Sequence, residues 1–212
     1  MKLYSLPEAK GFQPVGWLSS ISTNVEEVTS PKDLIERSSI LIFWGGADIC
    51  PQLYGQLPSV KVSAKKPSDR DLLEYECGIR AIELGIPMLG ICRGAQMVTI
   101  LAGGHLIQDC TGHTGTQHQL ETVEGKMMGN SDHHQMMDPF GTAYELLAWT
   151  PKEQGTTFFG PSLAKMPIPR HPEVVHYRLI NGLAIQGHPE WANASPEYIE
   201  FCKRMIEKKL LS

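Results

Sequence analysis

The stretch Pro87-Met88-Leu89-Gly90-Ile91-Cys92-Arg93-Gly94-Ala95-Gln96 decides the reading of this chain. Residues 87–91 are an apolar run of strand length, and the turn that follows sets a glycine two residues before and two residues after Cys92. A helical pattern then runs over 95–102 and closes at Gly103-Gly104. Strand, sharp turn and helix in this order expose a nucleophile at the end of a sheet strand. Unpaired amides at a helix N-terminus favour the thiolate of Cys92. The amide of Arg93 would face the oxygen of an attacked carbonyl, and such a donor is worth roughly 3–4 kcal/mol to a transition state. The backbone of Gly45-Gly46 is the candidate for the second donor.

Working outward, strands are expected over 2–6 and 24–28. Ser30-Pro31 reads as an N-cap with proline at the first helical position and predicts a helix over 32–37. Residues 40–44 form a continuous apolar run, as in a strand buried on both faces, and end at Gly45-Gly46. The segment 51–67 is expected to be a loop, with Lys61, Lys65 and Lys66 solvated. Ser68 and Asp71 predict a capping box. The helix they open carries Leu72, Leu73, Ile79, Ile82 and Leu84, spaced for one buried face, and stops at Gly85. Strands are expected over 105–109 and 145–149, then a proline-rich loop over 151–172. A hairpin with arms 174–180 and 183–186 should turn at Asn181-Gly182. A last helix opens at Ser195-Pro196 and ends in the basic stretch 203–209. This alternation argues an α/β sheet with parallel strands, whose site lies at strand carboxyl ends.

Composition narrows the function. At roughly 150 residues per domain, 212 residues predict one domain over 1–212. Hydrophobic content of 42% with 20% charged residues excludes wholesale disorder. A net charge of -4 gives no electrostatic reason to expect a nucleic acid or an anionic membrane. The five cysteines form no C-x-x-C pair, and no stretch approaches the ~18 apolar residues of a membrane span. A cytoplasmic location is expected.

A cysteine nucleophile needs a base, and the base an orienting acid. His188-Pro189-Glu190 supplies both, because residues two apart on an extended chain point to the same side. Five histidines (His105, His113, His118, His133, His134) fall in the middle of the chain. They show no H-E-x-x-H or other known ligand spacing, so no metal is expected. His133 and His134 are expected to line the pocket, and His113 and His118 a loop. An α/β-hydrolase order, with Asp132 or Asp138 between nucleophile and histidine, is a rival; Gln96 and Glu190 favour the other order.

The segments 90–96 (GICRGAQ) and 186–190 (QGHPE) resemble the two signature motifs of the class I glutamine amidotransferase-like family. Within it the chain is most similar to the gamma-glutamyl-gamma-aminobutyrate hydrolases of peptidase family C26. That likeness rests on the segment 45–51 (GGADICP), Tyr54-Gly55, Arg70-Asp71 with Glu74, Arg93, and the segment 130–135 (NSDHHQ). The resemblance implies a three-layer open sheet, mostly parallel and flavodoxin-like. It implies Cys92 as nucleophile, His188 as acid and base, and Glu190 as its orienter. Gly45 or Gly46 and Arg93 become backbone oxyanion donors, with Gln96, His133, His134 and Gln135 around the glutamyl amino and carboxylate groups. The implied reaction is hydrolysis of a gamma-glutamyl amide through a glutamyl thioester, without metal or cofactor.

Gly187 departs from the family, which carries a bulky residue there, and residues 155–172 match nothing in it. That segment is the expected seat of leaving-group specificity. Three roles stay open: a free-standing hydrolase of a small gamma-glutamyl substrate, a glutaminase subunit that passes ammonia to a synthetase subunit, and a non-catalytic binding protein.

Overall fold

The computed structural model describes residues 1–7, 14–35, 39–151, 158–159 and 170–212. In chain order the first strands are β1 (Lys2–Ser5), β2 (Val25–Glu27) and β3 (Ser39–Phe43); helix α1 (Asp69–Leu84) precedes β4 (Met88–Ile91) and α2 (Arg93–Leu101). Short strands β5 (His105–Ile107) and β6 (Asp109–Cys110) lead to the ribbon β7 (Thr116–Thr122) and β8 (Gly125–Ser131). Then come β9 (Met136–Asp138), β10 (Tyr144–Pro151), β11 (Phe158–Phe159), β12 (Arg170–Tyr177), β13 (Gly182–Ile185) and α3 (Pro196–Leu210).

Nine strands form one sheet in the order β2-β1-β3-β4-β13-β12-β10-β7-β8. From β2 to β13 every pairing is parallel, and from β13 to β8 the sheet continues antiparallel. The parallel part explains the unbroken apolar runs. All five residues of β3 are buried, with Ile40 and Ile42 in one core and Leu41 and Phe43 in the other. Buried residues of α3 (Tyr198, Phe201, Met205) pack against the first face, and those of α2 (Ala95, Met97, Val98) with Cys77 and Ala81 of α1 against the second. The result is the three-layer α/β arrangement.

Several local expectations are revised. The helix expected over 32–37 is a single tight turn, Pro31–Asp33, closed by the Ser30–Asp33 capping box; residues 36–38 lie outside the described residues. The expected loop 51–67 holds a second such turn, Pro51–Tyr54. Asn181-Gly182 is not a two-residue hairpin turn. Arg178–Ile180 winds first, Asn181 takes the left-handed conformation at φ 48°, and Gly182 already pairs with Tyr177 inside the sheet. Of the expected loop 151–172, the residues 152–157 and 160–169 lie outside the described residues.

Helix α1 packs three of its five expected apolar residues, Leu73, Ile82 and Leu84, against the core, but its most buried positions are others. Leu72 and Ile79 are 49% and 39% exposed, whereas Asp71, Glu74, Cys77, Gly78 and Ala81 are buried. Two carboxylates can occupy the inner face because arginines meet them there. At Gly78, moreover, a Cβ would stand 2.2 Å from the side chain of Leu101 on α2, so the two helices approach more closely than any larger residue allows. No helix among the described residues is long and apolar enough to cross a membrane.

Candidate active site

Strands β3, β4 and β13 are neighbours and run parallel, so their carboxyl ends open at one edge. Gly45-Gly46 follow β3, Cys92 follows β4, and His188 stands just beyond β13. The amide of Cys92 donates to the carbonyl of Ile185 at 2.8 Å, which fixes the elbow to the strand leading to His188.

Cys92 has φ 51° and ψ -108°, a strained backbone for a residue with a side chain, at a cost of about 1–3 kcal/mol. Packing enforces it. A Cβ on Gly90 would sit 2.3 Å from the carbonyl oxygen of Gly94, and one on Gly94 would sit 2.1 Å from that of Phe43. The flanking glycines are therefore dictated by close approach of turn, helix and the adjacent strand. Cys92 is 5% exposed and borders a polar cavity of about 70 Å³. Gly46, Asp48, Arg93, Gln96, Asp132, His133, His134 and Gln135 complete its lining.

His188 adjoins Cys92 on one side and Glu190 on the other, its Nδ1 donating to Glu190 Oε1 at 2.7 Å. Burial by itself would lower the proton affinity of the imidazole. The hydrogen bonds and negative charge of Cys92 and Glu190 outweigh it and push the His188 pKa up to about 10. The ring is thereby held as an imidazolium beside the Cys92 sulfur. Two residues not singled out from the sequence hold that ring. Trp191 stacks on it with centroids 3.9 Å apart and planes at 13°. Asn130 clamps the backbone, donating from Nδ2 to the His188 carbonyl at 2.8 Å and accepting the His188 amide at 3.0 Å. Asn130 lay inside a matched motif, but no local pattern links it to a residue 58 positions away.

Gly187 belongs to this clamp and does not line the cavity. A Cβ there would stand 2.5 Å from the Asn130 carbonyl and 2.6 Å from the Tyr198 hydroxyl. The departure at this position thus reflects how closely β8 approaches.

An ionic network underlies Gly45-Gly46. Arg70 donates to the carbonyls of Trp44 and Gly45 at 3.1 and 3.0 Å, and to Glu74 at 2.7 Å. Glu74 also pairs with Arg93, whose second nitrogen donates to Asp71 at 2.5 Å. Of these four side chains only that of Asp71 carried a role in the sequence, in the capping box with Ser68; together they tie the 45–46 loop to the elbow helix.

The substrate-binding candidates converge on the cavity. Gln96 Nε2 donates to the Gln135 carbonyl at 2.9 Å, and Gln135 Oε1 accepts the Ile49 amide at 3.3 Å, leaving Gln135 Nε2 buried without a protein partner. His133 Nδ1 donates to the Gln135 carbonyl at 2.9 Å, and burial pushes its pKa down to about 3, so its Nε2 is an unprotonated buried acceptor with no protein partner. His134 lies between Asp48 and Asp109, at 2.8 and 3.2 Å, and its pKa is raised, chiefly by the hydrogen bond to Asp48. Both its nitrogens are thus occupied. Cys50, Cys77, Cys110 and Cys202 are buried and free. His113 and His118 do not share a loop: His118 lies on β7, and both rings meet Glu173 of β12.

This geometry lets a thiolate attack an electrophilic carbonyl within reach of a proton donor and backbone amides. Comparison with known proteins gives the family. The family profile for peptidase C26 matches residues 13–147. A glutamine amidotransferase-like protein of Lactococcus lactis is 28% identical over 159 residues, which are 65% of this chain and 66% of that one. The gamma-glutamyl-CDP-amidate hydrolase of Campylobacter jejuni is 37% identical over 83 residues, 39% of each chain. The chain thus spans about two thirds of the first relative and about two fifths of the second. Among solved structures, a GMP synthase-like chain from Thermoplasma acidophilum superposes with a TM-score of 0.60 at 16% identity, covering 98% of both chains, which shows a shared fold. With a match over most of its length and the glutamine amidotransferase-like architecture around it, the chain belongs to the peptidase C26 family.

Proposed function

We propose that the protein is a cysteine-dependent hydrolase of a gamma-glutamyl amide, acting on glutamine or a gamma-glutamyl amine. The observation that carries this reading is the convergence of Cys92, His188 and Glu190 at the mouth of adjacent parallel strands, with His188 hydrogen-bonded to Glu190. In the first step the Cys92 thiolate attacks the side-chain carbonyl carbon. The oxygen takes up negative charge facing the amides of Arg93 and of Gly45 or Gly46. His188 then gives its proton to the departing nitrogen, the C–N bond breaks, and ammonia or an amine leaves a glutamyl thioester on Sγ. Neutral His188 next takes a proton from water, the hydroxide adds to the thioester, and glutamate leaves with the thiolate restored. Glu190 keeps the ring oriented and stabilises its charged form.

The partnerless atoms of the cavity suit a glutamyl head group. Gln135 Nε2 supplies a donor for the substrate carboxylate, and His133 Nε2 an acceptor for its ammonium. Gln96 holds the Gln135 backbone in place. The Campylobacter relative, named for hydrolysis of a gamma-glutamyl compound, supports this class of reaction.

A second reading is an ammonia-donor chain serving a synthetase, and the likeness to a chain described as part of a GMP synthase favours it. Incubating purified protein with glutamine and a panel of gamma-glutamyl amines, beside Cys92→Ala, separates the two by glutamate release. A hydrolase turns over at least one substrate alone, and the variant none. An ammonia donor is slow until its partner is added. Absence of turnover under both conditions overturns both readings.

A further inference from the structure

Behind the pocket wall, three side chains from separate parts of the antiparallel sheet converge. Oε1 of Glu173 on β12 lies 3.1 Å from Nε2 of His118 on β7 and 3.4 Å from Nδ1 of His113, in the turn before that strand. One donor atom from each residue falls within 4.8 Å of the others. Donors bound tetrahedrally to zinc at about 2.0–2.1 Å lie about 3.4 Å apart, so two of these separations match bound geometry.

Charge makes the same case independently. Glu173 is 1% exposed, yet no lysine or arginine among the described residues lies within ion-pair distance of it; its partners are imidazoles and the Thr150 hydroxyl. A carboxylate so deeply withdrawn from water needs a paired cation or a metal. The outer contacts also suit ligation. His113 Nε2 shares a hydrogen bond with His171 Nδ1 at 3.2 Å, leaving Nδ1 turned toward Glu173, and Thr150 donates to Glu173 Oε1 at 2.8 Å. Metal ligands are commonly oriented by hydrogen bonds of this kind.

We propose that His113, His118 and Glu173 bind a divalent first-row cation of the zinc class, with a water or the Ser131 hydroxyl completing the set. Two neutral nitrogens and a carboxylate oxygen select such a borderline ion over magnesium or calcium. The site is structural, and no step of the proposed hydrolysis passes through it. It would brace the pocket, because the His113 carbonyl accepts from the His133 amide at 3.0 Å, the two rings pack at 4.7 Å, and the Glu173 carbonyl accepts from the Gln186 amide at 2.8 Å, two residues before His188.

The test uses the full chain expressed without a histidine tag and stripped with chelator, then titrated with Zn²⁺ and, separately, Co²⁺. The expected result is one tight equivalent, a tetrahedral Co²⁺ visible band, and anomalous scattering at the zinc edge centred between the three residues. Glu173→Gln and His118→Gln should each weaken binding at least tenfold, while exposed His105→Gln and the active-site variant Cys92→Ala keep the full equivalent. Should the variants misfold, the position of the anomalous peak in the unaltered protein still decides. No bound cation, or binding that Cys92→Ala abolishes, overturns the proposal; in the first case a protonated histidine alone balances Glu173.

Discussion

Arg93 and Glu74 form an ion pair with both side chains withdrawn from solvent, 3% and 0% exposed, joining the first residue of the elbow helix to the middle of α1. Through Arg70 the same carboxylate reaches the carbonyls of Trp44 and Gly45. One acidic side chain thus holds the 45–46 loop and the elbow helix, the two segments proposed to face an attacked carbonyl.

Glu74→Ala should therefore take from buried Arg93 one of its two carboxylates and from the partly exposed Arg70 its ion-pair partner. Removing one partner of a buried pair costs about 3–5 kcal/mol. Urea denaturation is expected to show that loss, and the surviving folded protein should release glutamate more slowly at saturating substrate, as Gly45-Gly46 loses its anchor. Unchanged stability and turnover would refute the bracing role.

The pH dependence follows from His188. Its folded pKa is raised to about 10 from an ordinary 6.5, so its contribution to stability is complete below about 6.5 and is lost as pH rises through about 10. Loss of the His188 proton gives the alkaline limb of kcat/KM. Glu190→Gln removes one of the groups that hold the proton, and it should move that limb to lower pH. A profile that stays in place shows that Glu190 does not tune the imidazole.

The elbow tolerates no added carbon. In Gly94→Ala the new methyl would stand 2.1 Å from the Phe43 carbonyl oxygen, which is backbone and cannot swing aside. Overpacking of this kind costs about 1–3 kcal/mol or more. The variant should melt earlier and lose glutamate release, whereas Gly16→Ala, where a Cβ meets nothing within 4 Å, should fold normally.

The clamp on His188 gives a prediction about rate. Asn130→Ala leaves the amide and carbonyl of His188 without their side-chain partner, at about 1–3 kcal/mol for a buried group left unsatisfied. Steady-state kinetics should show kcat reduced tenfold or more with KM little changed, since Asn130 is absent from the cavity lining. Gln135→Ala should do the reverse, raising KM more than it lowers kcat.

How much of this was legible beforehand depends on the range of the interaction. The elbow, the N-cap at Ser30, the capping box at Ser68 and the apolar run of β3 are written in neighbouring residues, because turn geometry, caps and strand burial are set locally. The inner face of α1 was legible only in part. Hydrophobicity found Leu73, Ile82 and Leu84, which pack on the core, but it also pointed to the exposed Leu72 and Ile79 and missed Asp71 and Glu74, whose burial depends on Arg93, about twenty residues away. The Asn181-Gly182 signal misplaced its turn by one residue, since Gly182 packs with its Cα beside Val98 on α2.

The sequence by itself determined the α/β class, the elbow position of Cys92 and the choice of His188 and Glu190 as its candidate partners, since each rests on spacing along the chain. Only the tertiary structure decided that Asn130 and Trp191 hold the ring, that Gly187 makes room for a clamp, and that His113, His118 and Glu173 meet. Trp191 is only three residues from His188, but Asn130 and the His113, His118 and Glu173 group are brought together by sheet order, and a contact between residues 55 to 60 positions apart leaves no periodicity for a linear reading to detect.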